Sequence, residues 1–483
     1  MHSGALDDKL KEACGVFGIY APDEDVARRS YFALYSLQHR GQESAGIAVS
    51  SGKNISCYKK MGLVSQVFNE EILRLLKGRM AIGHVRYSTT GASTEANAHP
   101  VLAGNGAKRS TAEYLREVAV AHNGNLVNTA ELRADMERRG ISFSSTSDTE
   151  VIAEMIAMEP AATSEDAVAA VLPRLKGVFS LAILCEDKLI AARDPFGIRP
   201  LCIGRMSDGR YAAASETCAF NIIGAKFERE VLPGEMIIIS ESGMESRIYT
   251  EAPREAMCIF EFIYFARPDS IMHGQRLYTC RKNMGRKIYE ESPVEADVVI
   301  SVPDSGTPAA IGYAAAAGIP FEDGLIKNRY VGRTFIQPDQ QMRELGVKIK
   351  LCPLEDNIRG KRIVVVDDSI VRGNTSSQII AMLYDAGAKE VHMRVSCPPL
   401  KFPCFYGIDM ATRKELLASS HSVEQIRQKL GCDSLAYLSI EGMIEAAGGV
   451  NKFCLACFNE DYPIPLPQQL PLDKLQFENS NSK

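Results

Sequence analysis

The feature that most limits the fold is an apolar strand that leads straight into two acidic residues and a glycine-containing loop. Residues 363–366 are Ile-Val-Val-Val, and Asp367 and Asp368 follow them directly. The loop Ser-Ile-Val-Arg-Gly-Asn-Thr comes next, at 369–375. A continuous apolar run is typical of a strand buried on both faces, as in parallel sheets covered by helices. The second half of the chain is therefore predicted to contain a doubly wound parallel sheet.

Neighbouring segments support this prediction, because apolar strands alternate there with helical patterns. The strands are predicted at 298–302, 362–366 and 391–395, and the helices at 308–317 and 376–385. The first half has short apolar runs that end in Gly, Asn or Ser, typical of strands followed by turns. Its helices are predicted at 129–139 and at 148–158, the second with Asp148 as N-cap. We expect a layered α/β sandwich there.

Composition excludes several classes of protein. A chain of 483 residues is expected to form two or three domains. Its net charge of −5 argues against a general nucleic-acid-binding or membrane-surface-binding protein, whose affinity would need excess Lys and Arg. No apolar run approaches the ~20 residues of a spanning helix, and the first 13 residues lack a secretory signal. We expect a cytoplasmic protein, in which the thirteen cysteines serve catalysis or metal binding rather than disulfides.

Cys14 is a candidate nucleophile because it opens the apolar run at 14–20, close to the start of the chain. Removal of residues 1–13 would place a thiol and a free α-amine on one residue. That amine has an ordinary pKa of roughly 7.7–8 and could act as base for the thiol. The alternative is a buried cysteine in an N-terminal strand.

The loop at 369–375 is suited to phosphate, because backbone amides and hydroxyls converge before a helix N-terminus. Asp367 and Asp368 supply oxygen ligands suited to Mg²⁺ or partners for ribose hydroxyls. The alternative is an ordinary strand–helix crossover with acidic residues at the strand end.

These motifs resemble two known families in series. Residues 363–375 resemble the phosphoribosyl-pyrophosphate (PRPP) motif of type I phosphoribosyltransferases. A second resemblance, to the glutaminase domain of N-terminal-nucleophile amidotransferases, rests on residues 14–20, 38–42, 86–87, 122–124 and Asp148. From Cys14 to about Phe458, this order is similar to the amidophosphoribosyltransferases of purine synthesis. The resemblance implies a propeptide at 1–13, an αββα glutaminase domain at 14–245, a phosphoribosyltransferase domain at 246–460 and a tail at 461–483.

For the first domain, the resemblance implies that Cys14 attacks the side-chain amide of glutamine and forms a thioester. Asn123 and the N–H of Gly124 would stabilise the oxyanion. Arg86 would bind the α-carboxylate of glutamine, and Asp148 its α-ammonium. Taken singly, the alternatives are a hairpin turn for Asn123-Gly124, a solvated charge for Arg86 and a helix cap for Asp148.

For the second domain, the resemblance implies a PRPP site with Mg²⁺. Asp367 and Asp368 would face the ribose and the metal, and Ser305 would meet the metal-bound pyrophosphate. The 5′-phosphate would be bound by Ser369, Arg372, Gly373 and Thr375, while Lys327, Arg329 and Arg333 would belong to a closing loop. The alternative for that basic and aromatic loop is a nucleic-acid patch, which the pI near 6.0 disfavours.

Four cysteines lie at the positions that ligate a 4Fe–4S cluster in one branch of the family: Cys258, Cys404, Cys454 and Cys457. Spacing leaves two alternatives open: structural zinc, or unrelated buried thiols, since the chain has nine other cysteines. Cys397, seven residues before Cys404, is the main competing candidate. A cluster here would be structural rather than catalytic.

The resemblance thus implies release of ammonia from glutamine and its transfer to PRPP, with pyrophosphate leaving. It further implies a homotetramer, feedback inhibition by purine nucleotides and an active form that begins at Cys14. A nucleophilic role for Cys14 also requires a cavity beside its sulfur. Two rivals are a PRPP-binding regulator without catalysis and an amino-sugar synthase with the same glutaminase. The first has no use for Cys14, Arg86 and Asp148 together, and the motif at 363–375 speaks against the second.

Overall fold

A computed structural model of the chain describes residues 14–87, 94–104, 116–328, 350–408, 410 and 412–465. Two antiparallel sheets form the first half of the described chain, and a parallel sheet forms the centre of the second.

The strands of the first half are β1 (Gly15–Tyr20), β2 (Ser44–Ser50), β3 (Ile55–Met61), β4 (Met80–Arg86), β5 (Val101–Ala103), β6 (Val118–Leu126), β7 (Gly177–Leu184), β8 (Leu189–Arg193), β9 (Cys202–Met206), β10 (Tyr211–Ala214), β11 (Ala225–Glu230), β12 (Glu235–Ser240) and β13 (Gly243–Ile248). One sheet has the order β11-β9-β10-β1-β4-β2-β3, and the other has the order β13-β12-β8-β7-β6-β5.

The helices of this half are α1 (Val26–Ser36), α2 (Val64–Val67), α3 (Glu70–Leu75), α4 (Thr129–Arg138), α5 (Asp148–Met158), α6 (Ser164–Val171) and α7 (Cys218–Ile223), with short 3₁₀ turns at Glu95–Asn97 and Leu172–Arg174. Helices α1 and α7 pack on the first sheet, and α5 packs on the second. Apolar side chains fill three layers: one between the sheets and one under each set of helices. The predicted αββα sandwich is confirmed.

The strands of the second half are β14 (Met257–Cys258), β15 (Ile271–Met272), β16 (Gln275–Arg276), β17 (Val298–Ser301), β18 (Leu325–Lys327), β19 (Leu351–Pro353), β20 (Arg362–Asp367), β21 (Glu390–Val395), β22 (Ser434–Tyr437) and β23 (Phe453–Cys454). Its helices are α8 (Leu277–Glu291), α9 (Thr307–Ala317), α10 (Glu355–Ile358), α11 (Asn374–Asp385), α12 (Val423–Leu430), α13 (Ile440–Ala446) and α14 (Ala456–Asn459), with a π-helical turn at Glu261–Phe265 and 3₁₀ turns at Arg413–Glu415 and Leu417–Ser419.

Strands β17, β20, β21 and β22 form a sheet in that order, and every neighbouring pair is parallel. The strand that leads into Asp367 therefore has a partner on each side and is buried from Ile363 onward. Helices α9 and α11 pack against the sheet. This arrangement confirms the predicted doubly wound parallel sheet.

Backbone hydrogen bonds join the two halves, since the N–H groups of Ala256 and Cys258 donate to the carbonyl oxygens of Phe196 and Ile198 at 2.8 and 3.0 Å. The parallel pair β14–β23 brings the end of the described chain back to its middle, with Cys258 opposite Cys454. The expected domain boundary at 245 and 246 falls inside β13, which pairs with β12 from Gly243 to Ile248. Residues 246–248 thus belong to the second sheet of the sandwich.

Helix α5 begins one residue away from the predicted cap. The N-cap is Ser147, whose hydroxyl oxygen accepts the N–H of Thr149 at 3.2 Å, and Asp148 is the first helical residue. Because serine satisfies the helix end, the carboxylate of Asp148 is available to accept the N–H of Leu126 at 3.0 Å. The expectation that Asp148 caps the helix was wrong.

Candidate functional site

Cys14 directly precedes β1, which lies between β4 and β10. Its side chain is buried, with Sγ 3.6 Å from the carbonyl oxygen of Tyr87. Burial raises the pKa of the Cys14 thiol, and the positive charge of Arg86 opposes that rise. A buried thiol of raised pKa stays protonated at neutral pH, so nucleophilic attack requires a base that removes the proton.

Asn123 and Gly124 lie on β6, in the second sheet. Asn123 is fully buried, and neither Nδ2 nor Oδ1 of its amide has a hydrogen-bond partner among the described residues. Buried polar groups usually have a hydrogen-bond partner, so this amide is available to a ligand. Gly124 has φ +153°, and a Cβ there would lie 2.0 Å from the carbonyl oxygen of Val178. Only glycine fits this position.

Arg86 ends β4, and Asp148 begins α5; both are buried. Their charges act on the Cys14 thiol in opposite directions, Arg86 lowering its pKa and Asp148 raising it. Burial alone would raise the pKa of Asp148, but the nearby His122, 3.5 Å from its Oδ1, and the N–H of Leu126 hold it below its usual value. Asp148 is therefore an anion at neutral pH, which suits a cationic partner.

The cavity expected beside the Cys14 sulfur stays a prediction, because the residues that directly follow Tyr87 are not among those that the structure describes. One cleft of about 290 Å³ lies between the halves, lined by Arg193, Glu230, His273 and Lys452 among others. A second cavity, in the C-terminal half, is lined by Cys258, Cys404, Cys454 and Cys457. Neither adjoins Cys14, and residues 88–93, which follow Tyr87, lie outside the described residues.

The acidic pair of the second half lies at the end of β20. Asp367 and Asp368 are both buried, and the N–H of Asp368 donates to Oδ1 of Asp367 at 2.9 Å. Hydroxyls of Ser305 and Ser369 donate to the two oxygens of Asp368 at 2.5 and 2.8 Å. The structure thus brings the loops at 303–307 and 369–375 together around these carboxylates.

Backbone geometry supports the predicted phosphate loop. Gly373 has φ +82° at the N-cap of α11, and a Cβ there would meet Leu417 at 2.6 Å. Thr375 follows in the first turn of α11. Helix N-termini present unpaired N–H groups, which suit an anion.

The structure describes two of the four cations predicted for this site, and each of these two pairs with a carboxylate. Arg372 pairs with Glu415 at 2.7 Å rather than standing alone. Lys327 pairs with Asp304 at 2.9 Å, which places it over the loop that carries Ser305. Arg329 and Arg333 lie outside the described residues.

All four predicted cluster ligands, Cys258, Cys404, Cys454 and Cys457, line the second cavity, whereas Cys397 does not. The sulfur of Cys397 faces the carbonyl oxygen of Pro398 at 3.3 Å. Among the described residues, no three His, Cys, Asp or Glu side chains are placed to hold one metal ion. The four thiols therefore share a cavity without forming a compact site for one ion.

A buried cation, Arg199, lines the cysteine cavity. Burial raises the pKa of Cys258 to about 12, and that of Cys404 also lies above its usual value, while Arg199 opposes both rises. Arg199 is fully buried and donates to the carbonyl oxygen of Tyr406 at 3.1 Å. A positive charge in this position favours thiolates over thiols.

Sequence reasoning missed the group that connects the halves. Arg40 is buried and donates to Glu261 of the second half at 2.7 and 3.1 Å, and to Glu216 at 2.5 Å. Its Nε faces the carbonyl oxygen of Cys14 at 3.3 Å. Arg40 lies within the motif at 38–42, but nothing in the sequence indicated an acidic partner more than 200 residues away.

The described part of the chain contains no helix long and apolar enough to cross a membrane.

Comparison with known proteins agrees with both halves. Residues 101–221 match the glutamine amidotransferase domain family, and residues 269–403 match the phosphoribosyl transferase domain family. A relative from Synechococcus elongatus, named amidophosphoribosyltransferase, is 52% identical over 478 residues, which cover 98% of this chain and 95% of the relative. Its counterpart of the same name from Bacillus subtilis is 49% identical over 470 residues, 96% of each chain.

The fold comparison leads to the same family. The solved structure of glutamine PRPP amidotransferase from B. subtilis, complexed with ADP and GMP, superposes with a TM-score of 0.89 at 48% identity. The match covers 96% of this chain and all of that one. Identity near one half along almost the whole length, with both domain families in the expected order, shows that this chain belongs to the amidophosphoribosyltransferase family.

Proposed function

We propose a division of labour for the reaction that this chain catalyses, the glutamine-dependent amination of PRPP in purine synthesis. The first half would release ammonia from glutamine, and the second would use it to displace pyrophosphate and give 5-phospho-β-D-ribosylamine. The observation that carries this proposal is that Arg86 and Asp148, buried side chains from two other segments, both lie close enough to the buried Cys14 for their charges to shift the pKa of its thiol.

In the first half, Arg86 would bind the α-carboxylate of glutamine and Asp148 its α-ammonium, which fixes the amide over Cys14. The sulfur attacks the amide carbon, and the oxyanion is stabilised by Nδ2 of Asn123 and the N–H of Gly124. The free α-amine of Cys14 takes the thiol proton and passes it to the leaving ammonia. Water then hydrolyses the thioester and releases glutamate. The unpartnered amide of Asn123 supports this assignment.

In the second half, the loop at 369–375 would bind the 5′-phosphate of PRPP, with Gly373 and Thr375 at the helix N-terminus. Asp367 and Asp368 would face the ribose hydroxyls and, with Ser305, hold Mg²⁺. Bound Mg²⁺ would neutralise charge on the departing pyrophosphate. Lys327, Arg329 and Arg333 would close over it. Arg372 would contribute only when its ion pair with Glu415 opens.

We further propose that Cys258, Cys404, Cys454 and Cys457 hold a 4Fe–4S cluster. A sulfur-only donor set in one cavity beside a buried arginine supports this. A single zinc ion needs four ligand atoms within about 2.3 Å of one point, and the described residues offer no such group. A cluster of several atoms spans a wider set of ligands. Its role would be to hold β23 and α14 against β14.

Further proposals concern the chain as a whole. Residues 1–13 would be removed to free the amine of Cys14. The first domain would end after Ile248, where β13 ends, rather than at 245. The B. subtilis relative was solved with ADP and GMP, which supports purine nucleotides as inhibitors here. The chain would assemble as a homotetramer.

A coupled assay tests the division of labour. Cys14→Ala should abolish glutamine-dependent synthesis of phosphoribosylamine but retain the reaction with free ammonia. Intact mass of the active wild-type protein should begin at Cys14. Equal loss of both activities in a folded Cys14→Ala protein, or an active wild-type protein that retains Met1, would contradict the proposal.

A further inference from the structure

Two buried histidines lie near the proposed glutamine site and have no part in its proposed chemistry. The rings of His84 and His99 are in contact, with their centroids 4.3 Å apart and their planes tilted by 44°. Both residues are at least 96% buried, and Nδ1 of each has no hydrogen-bond partner among the described residues. Buried polar atoms without partners are costly, so their presence calls for a compensating role.

His99 contacts the start of the helix that carries Asp148. Its Nε2 lies 3.2 Å from the hydroxyl oxygen of Ser147. The same oxygen accepts the N–H of Thr149 at 3.2 Å and so caps α5. His99 therefore acts on the residue directly before Asp148, at the point where the chain turns into the helix.

The surroundings identify the tautomer of His99. With the proton on Nε2, the ring donates to Ser147, and only a lone pair is left unpaired at Nδ1. The other tautomer would bury an N–H donor without an acceptor, which proteins tolerate less well. Burial lowers the pKa of His99 well below its usual value, so the ring is neutral. His84 donates from Nε2 to the carbonyl oxygen of His122 at 2.9 Å and is neutral for the same reason.

The segment around His99 is held firmly on its other side. Lys59 on β3 donates to the carbonyl oxygens of Ala98 and Pro100 at 2.5 and 3.1 Å. Gly46 on β2 lies so close that a Cβ there would be 2.1 Å from the carbonyl oxygen of His99. The first sheet thus fixes the backbone from which the His99 ring projects.

A second contact, beside that of His99, joins the same two segments. The side chain of Asn97 donates to the hydroxyl of Thr146 and accepts the N–H of Thr146, each at 3.0 Å. The segment at 97–99 therefore holds the two residues before Asp148 through hydrogen bonds from both Asn97 and His99. It links the first sheet to the helix that covers the second.

We propose that His99 is a positioning residue for glutamine, which sets the carboxylate of Asp148 through Ser147. The N–H of Leu126 holds the carboxylate of Asp148. His99 holds the hydroxyl of Ser147 and so fixes the backbone that leads into Asp148. A neutral ring supplies the hydrogen bond without a positive charge that would compete with the substrate ammonium. This inference rests on the proposed role of Asp148.

The test compares two substitutions in the full-length protein. His99→Leu removes the donor, and His99→Gln retains an amide N–H near the position of Nε2. His99→Leu should raise KM for glutamine by about three- to tenfold, the effect of one hydrogen bond, with kcat within about twofold. His99→Gln should return KM towards the wild-type value. The ammonia-dependent reaction should be unchanged in both.

Ser147→Gly removes the hydroxyl that accepts the hydrogen bond from His99. Glycine also serves as an N-cap, so the cost to helix α5 is small. If His99 acts through Ser147, the double variant should raise KM no more than either single variant. His392→Leu is the matched control, since His392 is a buried histidine that contacts a serine, Ser434 at 3.0 Å, in the other half. It should leave KM for glutamine unchanged.

The outcomes separate this inference from the proposed function. Asp148→Asn should raise KM for glutamine far more than His99→Leu. If it does not, the proposed role of Asp148 fails. If Asp148→Asn acts as expected but His99→Leu and Ser147→Gly leave KM within twofold of wild type, the inference about His99 is overturned. Additive effects of the two substitutions would also overturn it.

Discussion

Glu261→Gln should destabilise the protein strongly, although Glu261 lies outside both proposed active sites. Its carboxylate is fully buried between the halves and accepts from Arg40 at 2.7 and 3.1 Å and from Arg199 at 3.3 Å. Glutamine has nearly the same shape, so the substitution removes one charge and one acceptor while leaving the packing in place.

The size of the effect follows from the charges that remain. Removal of one partner from a buried ion pair costs about 3–5 kcal/mol, because the other charge stays buried without compensation. Arg40 retains Glu216 at 2.5 Å, so we expect the lower end of that range. About 3 kcal/mol corresponds to a decrease in Tm of about 6–12 °C for a unit of 150–250 residues.

Thermal unfolding monitored by circular dichroism measures this change. Glu70→Gln is the matched control, because Glu70 binds Arg28 through both oxygens, at 2.6 and 2.8 Å, but on the surface. Exposed ion pairs contribute little, so this control should keep a Tm close to wild type. A decrease for Glu261→Gln no larger than that for Glu70→Gln would refute the reasoning that buried charges hold the halves together.

Two further predictions concern pH and iron. The pKa of buried His84 is lowered to about 3, against about 6.5 in an unfolded chain, so stability should fall as pH decreases below 6.5, by about 2 kcal/mol at pH 5. Urea unfolding of His84→Gln should show a correspondingly smaller decrease between pH 7 and pH 5, and an unchanged pH dependence would contradict the assignment. Cys404→Ser should lose iron and sulfide after anaerobic purification, whereas the control Cys397→Ser should keep both; equal contents in the two variants, or zinc in the wild type, would exclude the proposed cluster.

The local sequence pattern was sufficient to predict most of the helices and strands around the two proposed sites. The strand expected at 362–366 is Arg362–Asp367, and the helix expected at 129–139 is Thr129–Arg138. These segments were predictable because a buried parallel strand is apolar throughout and an amphipathic helix repeats every 3.6 residues. Both signals depend only on neighbours in sequence.

Contacts between distant segments were not predictable in this way. Ser147 rather than Asp148 caps α5, because the carboxylate turns towards β6, and that strand ends 22 residues earlier. The pair between Arg40 and Glu261 joins residues 221 positions apart. His99 gives no pattern that distinguishes a positioning residue from a satisfied core histidine. Such assignments require the three-dimensional neighbours.

The same long-range contacts explain how one chain can connect two reactions. Asn125, one residue past the proposed oxyanion glycine, donates to the carbonyl oxygen of Phe405 in the second half at 3.0 Å. A Cβ on Gly407, which has φ +92°, would lie 3.3 Å from the carbonyl carbon of Gly124. The loop after Cys404 therefore touches the backbone that would stabilise the oxyanion. Under the proposed mechanism, ammonia would be released where the first half meets residues of the second, and a shift of that loop would act directly on the proposed glutamine site.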